Sequence, residues 1–191
     1  MLAYFFRKSS IFILLVILLT GGIWRNVEAQ VWKLTFFPGA ISSICSLGSE
    51  IFFNTGSELF VSNDSGATWN SLYSAGNILF FGDAIVSNGS NLFASGYPGL
   101  LKSMDSGRTW ARIDSTLITA PISAFTSKGD TIIACSNSII FRSTNKGNNW
   151  AAVATLSQYI TNFSSIGSSI LAGASDIGIF RSIDKVRIGH K

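Results

Sequence analysis

The feature that most constrains this chain is that it repeats itself. Ser62-Asn63-Asp64-Ser65-Gly66-Ala67-Thr68-Trp69 returns as Ser103-Met104-Asp105-Ser106-Gly107-Arg108-Thr109-Trp110, and in weaker form as Ser143-Thr144-Asn145-Lys146-Gly147-Asn148-Asn149-Trp150. A fourth copy, over 182–189, opens with Ser182-Ile183-Asp184 and then loses the pattern, with Val186 where glycine is expected. The leading serines stand 41, 40 and 39 residues apart. An apolar pair precedes each serine by one residue: Leu59-Phe60, Leu100-Leu101, Ile140-Phe141 and Ile179-Phe180. Upstream, Gly48, Gly89, Gly129 and Gly167 each open the second strand of a unit. A period near 40 built from short apolar runs and turn residues predicts one four-stranded unit per repeat. In the first unit the strands are expected over 41–47, 50–54, 58–62 and 68–72. Long helical periodicities are absent, so the repeated body reads as all-β.

The residue choices inside the motif have physical reasons. A short carboxylate at 64 or 105 accepts hydrogen bonds from turn N–H groups, and the serines at 62 and 103 do so from the other side of the loop. Gly66, Gly107 and Gly147 supply positive φ without a Cβ clash. Trp69, Trp110 and Trp150 each offer a large apolar surface to anchor the strand that follows, and Thr68 and Thr109 suit the start of that strand. Asn145 replaces the aspartate in the third copy, and an asparagine side chain still accepts hydrogen bonds in such a turn.

The pattern S-x-D-x-G-x-T-W resembles the Asp-box of the BNR-repeat families, which include sialidases, sortilin-type receptors and the photosystem II assembly factors of the Ycf48/HCF136 type. The resemblance implies a β-propeller, with each box as the hairpin turn between the third and fourth strands of a blade. About 162 residues follow position 29, which at this period allows four units at most. The expectation is therefore a partial, open propeller of about four antiparallel blades, from a shortened member of a longer family, with its last hairpin frayed or missing.

Ahead of the repeats, Arg7 and Lys8 precede an apolar run from Ile11, and Val27-Glu28-Ala29 offers small residues at a cleavage site before Gln30. This is the layout of a secretory signal. The expected organisation is a helical signal peptide over 1–29 and propeller repeats over 30–191, with the mature protein secreted, periplasmic or at the cell surface, and membrane contact only through an uncleaved leader. Removing the leader lowers the formal charge from +4 to about +2. No basic run is interleaved with aromatics, so nucleic acid is not an expected partner. Cys45 and Cys135 fall in different units with one unit between them, so two separate thiols are expected rather than a disulfide.

The motifs of catalysis are missing. His190 is the only histidine, which argues against a zinc site and rules out an internal Ser-His-Asp triad. No phosphate loop is present, no cofactor is expected, and the sialidase F/Y-R-I-P motif does not occur. Asp64 and Asp105 are expected to point into their own turns rather than to act as paired carboxylates. Lys102, Arg142 and Arg181 occupy one position in successive units and form a candidate basic row along a rim, with Tyr97 of the Tyr97-Pro98-Gly99 turn as a further candidate contact. The expected function is non-catalytic: binding or scaffolding toward a protein or a glycan. Two alternatives are a fragment of a secreted sialidase-like glycoside hydrolase, and an assembly protein for a membrane complex.

Overall fold

In the computed structural model, residues 40–72, 84–96, 99–113, 116–167, 169–175 and 178–182 are described. The signal segment at 1–29, Tyr97, Asp184 and His190 lie outside them. The described residues form fifteen strands and no helix.

The first sheet contains β1 (Ser43–Leu47), β2 (Glu50–Asn54), β3 (Leu59–Ser62) and β4 (Asn70–Ser71). The second contains β5 (Ile85–Asn88), β6 (Asn91–Gly96), β7 (Gly99–Ser103) and β8 (Ala111–Arg112). The third contains β9 (Ala124–Lys128), β10 (Thr131–Ser136), β11 (Ile139–Ser143) and β12 (Ala151–Thr155). The last contains β13 (Ile160–Ile166), β14 (Ser169–Ala174) and β15 (Gly178–Ser182). Within every sheet the strands run antiparallel in chain order, so each repeat folds as one up-and-down unit. These are the four blades of a β-propeller.

The first strands of the blades stand side by side: β1 packs on β5, β5 on β9 and β9 on β13. Among the described residues no contact of similar extent joins β13 back to β1. Alternate residues of a strand face opposite ways, and in the middle blades both faces are covered. In β6, Leu92 and Ala94 belong to the core shared with the first blade, whereas Phe93 belongs to the core shared with the third. In β10, Ile132 and Ala134 face the second blade, and Ile133 and Cys135 face the fourth. Every residue of β6 and β10 beyond the first is buried. Three joints between blades thus hold the described structure together, each a nearest-neighbour interface.

The fourth strands are shorter than the sequence suggests. In the first blade strand pairing resumes only at Asn70, because Thr68 is still part of the preceding turn, where both its N–H and its hydroxyl donate to Asp64. Thr109 is held the same way by Asp105. The threonine closes the turn and does not begin the strand.

Candidate functional site

The three repeated motifs lie between β3 and β4, β7 and β8, and β11 and β12, and they share one hydrogen-bond pattern. In the first, the Ser62 hydroxyl donates to Asp64 Oδ1 at 2.7 Å and accepts from the Gly66 N–H at 2.8 Å. Asp64 Oδ1 also accepts from the Thr68 N–H at 2.8 Å, and Oδ2 from the Thr68 hydroxyl at 2.6 Å. Ser103, Asp105, Gly107 and Thr109 repeat these bonds. Ser143, Asn145 and Gly147 keep the pattern, with the Asn149 N–H donating to Asn145 Oδ1. All three serines are buried, so each hydroxyl must be satisfied within its own turn.

The backbone of these turns takes positive φ at two successive residues, not one. Ser65 at 60°, Ser106 at 56° and Lys146 at 57° each precede a glycine that is also left-handed. The sequence signals the glycine but not its predecessor, since serine and lysine carry no such preference. The tryptophans turn toward the body of the fold. The indole N–H of Trp110 donates to the Gly107 carbonyl and that of Trp150 to the Gly147 carbonyl. Trp110 packs on the joint between the first and second blades, Trp150 on the joint between the second and third. Trp69 meets Phe53 edge-on at 4.6 Å.

This geometry decides what the carboxylates can do. The hydrogen bonds from Thr68, side chain first and then backbone, lower the Asp64 pKa to about 2, and those from Thr109 do the same for Asp105. A carboxylate held ionised, with its lone pairs committed to its own turn, is a poor general acid or base near neutral pH. Among the described residues, no group of three His, Cys, Asp or Glu side chains is placed to hold a metal ion. Cys45 on β1 and Cys135 on β10 are free thiols, and burial pushes the Cys45 thiol up to about 12.

Lys102, Arg142 and Arg181 fall at one register position of β7, β11 and β15, opposite Phe93, Ile133 and Leu171. They do not form one open row. Lys102 is half-buried, lies over the Phe93 ring at 5.7 Å and donates to Asn148 Oδ1 of the third blade at 3.1 Å. Arg142 is half-buried as well. Arg181 is exposed, and its guanidinium donates to the Ser169 hydroxyl of its own sheet.

The concave feature that sequence reading missed is an open cleft of about 510 Å³ between the third and fourth blades. Thr126, Ser127, Lys128 and Thr131 line one side, Ser165 and Ser169 the other. No carboxylate lines it. The Lys128 ammonium reaches across to the Gly167 carbonyl. The Ser127 hydroxyl donates to the Ser87 carbonyl of the second blade and the Ser169 hydroxyl accepts from Arg181, so the hydroxyls of Thr126, Thr131 and Ser165, each able to donate and accept, lie in the cleft beside one positive charge. The serines and threonines responsible sit on ordinary strand positions, which is why no motif announced them.

No protein-family model and no curated protein matches the sequence. Solved structures do. The GH74 enzyme of Niastella koreensis aligns with 71% of this chain at 17% identity and a TM-score of 0.58. YCF48 bound to D1 peptide aligns with 72% at 19% identity and 0.57. The nidogen/laminin complex aligns with 71% at 16% identity and 0.55. The chain spans 26% of the GH74 enzyme chain and 48% of the YCF48 chain. At these identities the likeness is one of fold, and the fold is a β-propeller.

Proposed function

We propose that this chain is an exported, non-catalytic propeller of the Asp-box type that binds an extended segment of another protein in the cleft between its third and fourth blades. The observation that carries the reading is the lining of that cleft: the hydroxyls of Thr126, Thr131 and Ser165 and the Lys128 ammonium, with no acid. A peptide backbone presents alternating N–H and C=O groups, and side chains that both donate and accept suit such a ligand. The peptide bound to YCF48 and the protein partnership of nidogen with laminin lend support by analogy of fold. The committed carboxylates of the turns support a structural role for the motif. The leader over 1–29 motivates export.

Assembly of a membrane complex is the same binding reading with its partner specified, and the similarity to YCF48 favours it. The basic residues Lys102, Arg142 and Arg181 add no support to it, since two of the three are half-buried.

The test is a photo-crosslinking residue placed at Thr126, in the protein produced in its own host. The expected result is one predominant crosslinked polypeptide, lost when Ser165→Arg fills the cleft, together with no turnover of sialoside or xyloglucan oligosaccharides. Crosslinking indifferent to Ser165→Arg would remove the cleft from the reading. Turnover of either glycoside would replace binding with catalysis.

A further inference from the structure

Each of the first two joints receives a tryptophan from the turn of the following blade, and the third joint keeps the same seat. Three register positions define that seat. Leu92, Ile132 and Ile170 pair with the serine that opens the motif of their blade, at Ser103, Ser143 and Ser182. Ala94, Ala134 and Ala172 pair with Leu101, Phe141 and Phe180. In the first joint Leu92, Ala94 and Leu101 belong to the core on which Trp110 packs. In the second, Ile132, Ala134 and Phe141 belong to the core on which Trp150 packs. In the third, Ile170, Ala172 and Phe180 take the same places, and among the described residues no tryptophan packs on them. They line an apolar space of about 280 Å³, with Ile140, Val153 and Ala154 of the third blade opposite. Burial records the difference: Leu92, Ile132, Leu101 and Phe141 are buried, whereas Ile170 and Phe180 are half-buried.

The glycine of the motif shares the seat. A Cβ on Gly107 would stand 3.5 Å from Leu92, and one on Gly147 would stand 3.4 Å from Ile132 and closer still to Phe93. The counterparts of Phe93 and Ile132 in the third joint are Ile133 and Ile170, and both line the 510 Å³ cleft. Ile170 lines the apolar space as well. The two spaces therefore share a side chain at the place where a turn glycine and its tryptophan sit in the other joints. Spacing ties those two residues together: they are three positions apart in both turns, and each indole N–H donates back to its glycine carbonyl. The fourth copy of the motif supplies neither residue. Val186 stands at the glycine position and Gly189 at the tryptophan position, and a β-branched residue is ill suited to a left-handed turn.

We propose that the third joint is a binding site for a turn of another polypeptide that carries a glycine followed three residues later by a tryptophan. The glycine would lie over Ile133 and Ile170, and the indole would enter the apolar space against Ala172 and Phe180. The proposal rests on the reading that this joint binds a polypeptide segment, and it names the anchor of that segment. An indole suits the task, because it brings a large apolar surface at little conformational cost, and a tryptophan seated in a pocket dominates binding.

The test uses a fluorescein-labelled peptide with the sequence of residues 103–113 of this chain, Ser-Met-Asp-Ser-Gly-Arg-Thr-Trp-Ala-Arg-Ile, titrated with the purified protein and read by anisotropy. Saturable binding is expected. Trp110→Ala in the peptide should weaken it about tenfold or more. In the protein, Ala154→Leu fills part of the apolar space and should weaken it to a similar degree while the β-type circular dichroism is kept. No saturable binding, as when another stretch of the chain already fills the space, would overturn the proposal. So would a Trp110→Ala peptide that binds as well as its parent, a result that needs no change to the protein. A crosslink at Thr126 that persists while the peptide fails to bind would remove the glycine–tryptophan anchor and leave the cleft reading standing.

Discussion

The joint between the second and third blades and the joint between the third and fourth are built on the same hydrogen-bonded frame, yet one is filled and the other is a cleft. In the first, Phe93 is fully buried and its ring lies so close to Gly147 that a Cβ there would stand 2.3 Å from it. In the second, Ile133 takes the register position of Phe93, and the joint contains both the 510 Å³ cleft and an apolar space of about 280 Å³ near Phe163 and Phe180. Backbone pairing determines where the blades stand. Side-chain volume at a few facing positions determines whether a joint is core or binding site.

That contrast can be broken most sharply at Phe93. Phe93→Ala should lower unfolding stability by about 3–5 kcal/mol, read by chemical denaturation. Gly147→Ala should cost somewhat less, about 2–4 kcal/mol, combining a strained left-handed backbone with a clash against the ring. The two changes should be strongly non-additive, because removing the ring removes the clash. Gly66→Ala is the control: its Cβ would meet nothing closer than Trp69 at 3.5 Å, so only backbone strain remains, about 1–2 kcal/mol.

A third prediction concerns the turns. Ser103→Ala leaves Gly107 N–H and Asp105 without their buried partner and should cost about 1–3 kcal/mol. In the opposite direction, Ile133→Phe should fill part of the open joint and raise stability by about 0.5–2 kcal/mol, while weakening whatever the cleft binds.

The smallest effect separates the first two turns from the third. Asp64 and Asp105 have folded pKa values of about 2, below the unfolded value of about 3.9. Between those values the unfolded chain binds more protons. The stabilisation is therefore complete above about pH 4 and is lost as pH falls toward 2. Asn145 does not titrate. Asp64→Asn with Asp105→Asn should flatten the acid limb of a stability-against-pH curve by lowering the neutral plateau toward the acid value.

Much of the fold was legible because the period near 40 and the turn chemistry speak through local sequence. Ser62, Asp64, Gly66 and their copies form bonds only two to four residues apart, so their geometry follows from spacing. The late start of β4 was not legible, since Thr68 has strong strand preference and only the Asp64 carboxylate draws it into the turn. The cleft was hidden for another reason. Thr126 and Ser165 lie in different repeats, and Ile133, smaller than the phenylalanine at the same register position of the second blade, lines the space between them, a juxtaposition that cannot be read from one sequence. Lys102, Arg142 and Arg181 were correctly placed at one register position, but a strand residue's exposure depends on whether another blade covers it.

The most direct test of this account is amide hydrogen exchange resolved to individual strands. β6 is flanked by the first two joints, and β10 shares the filled second joint on one side, so both should exchange slowest. β14, resting on the joint that contains the cleft, should exchange faster than either. Protection in β14 equal to or greater than that in β6 and β10 would contradict the claim that side-chain filling of the joints, rather than the shared hydrogen-bonded frame, sets where this propeller is held together.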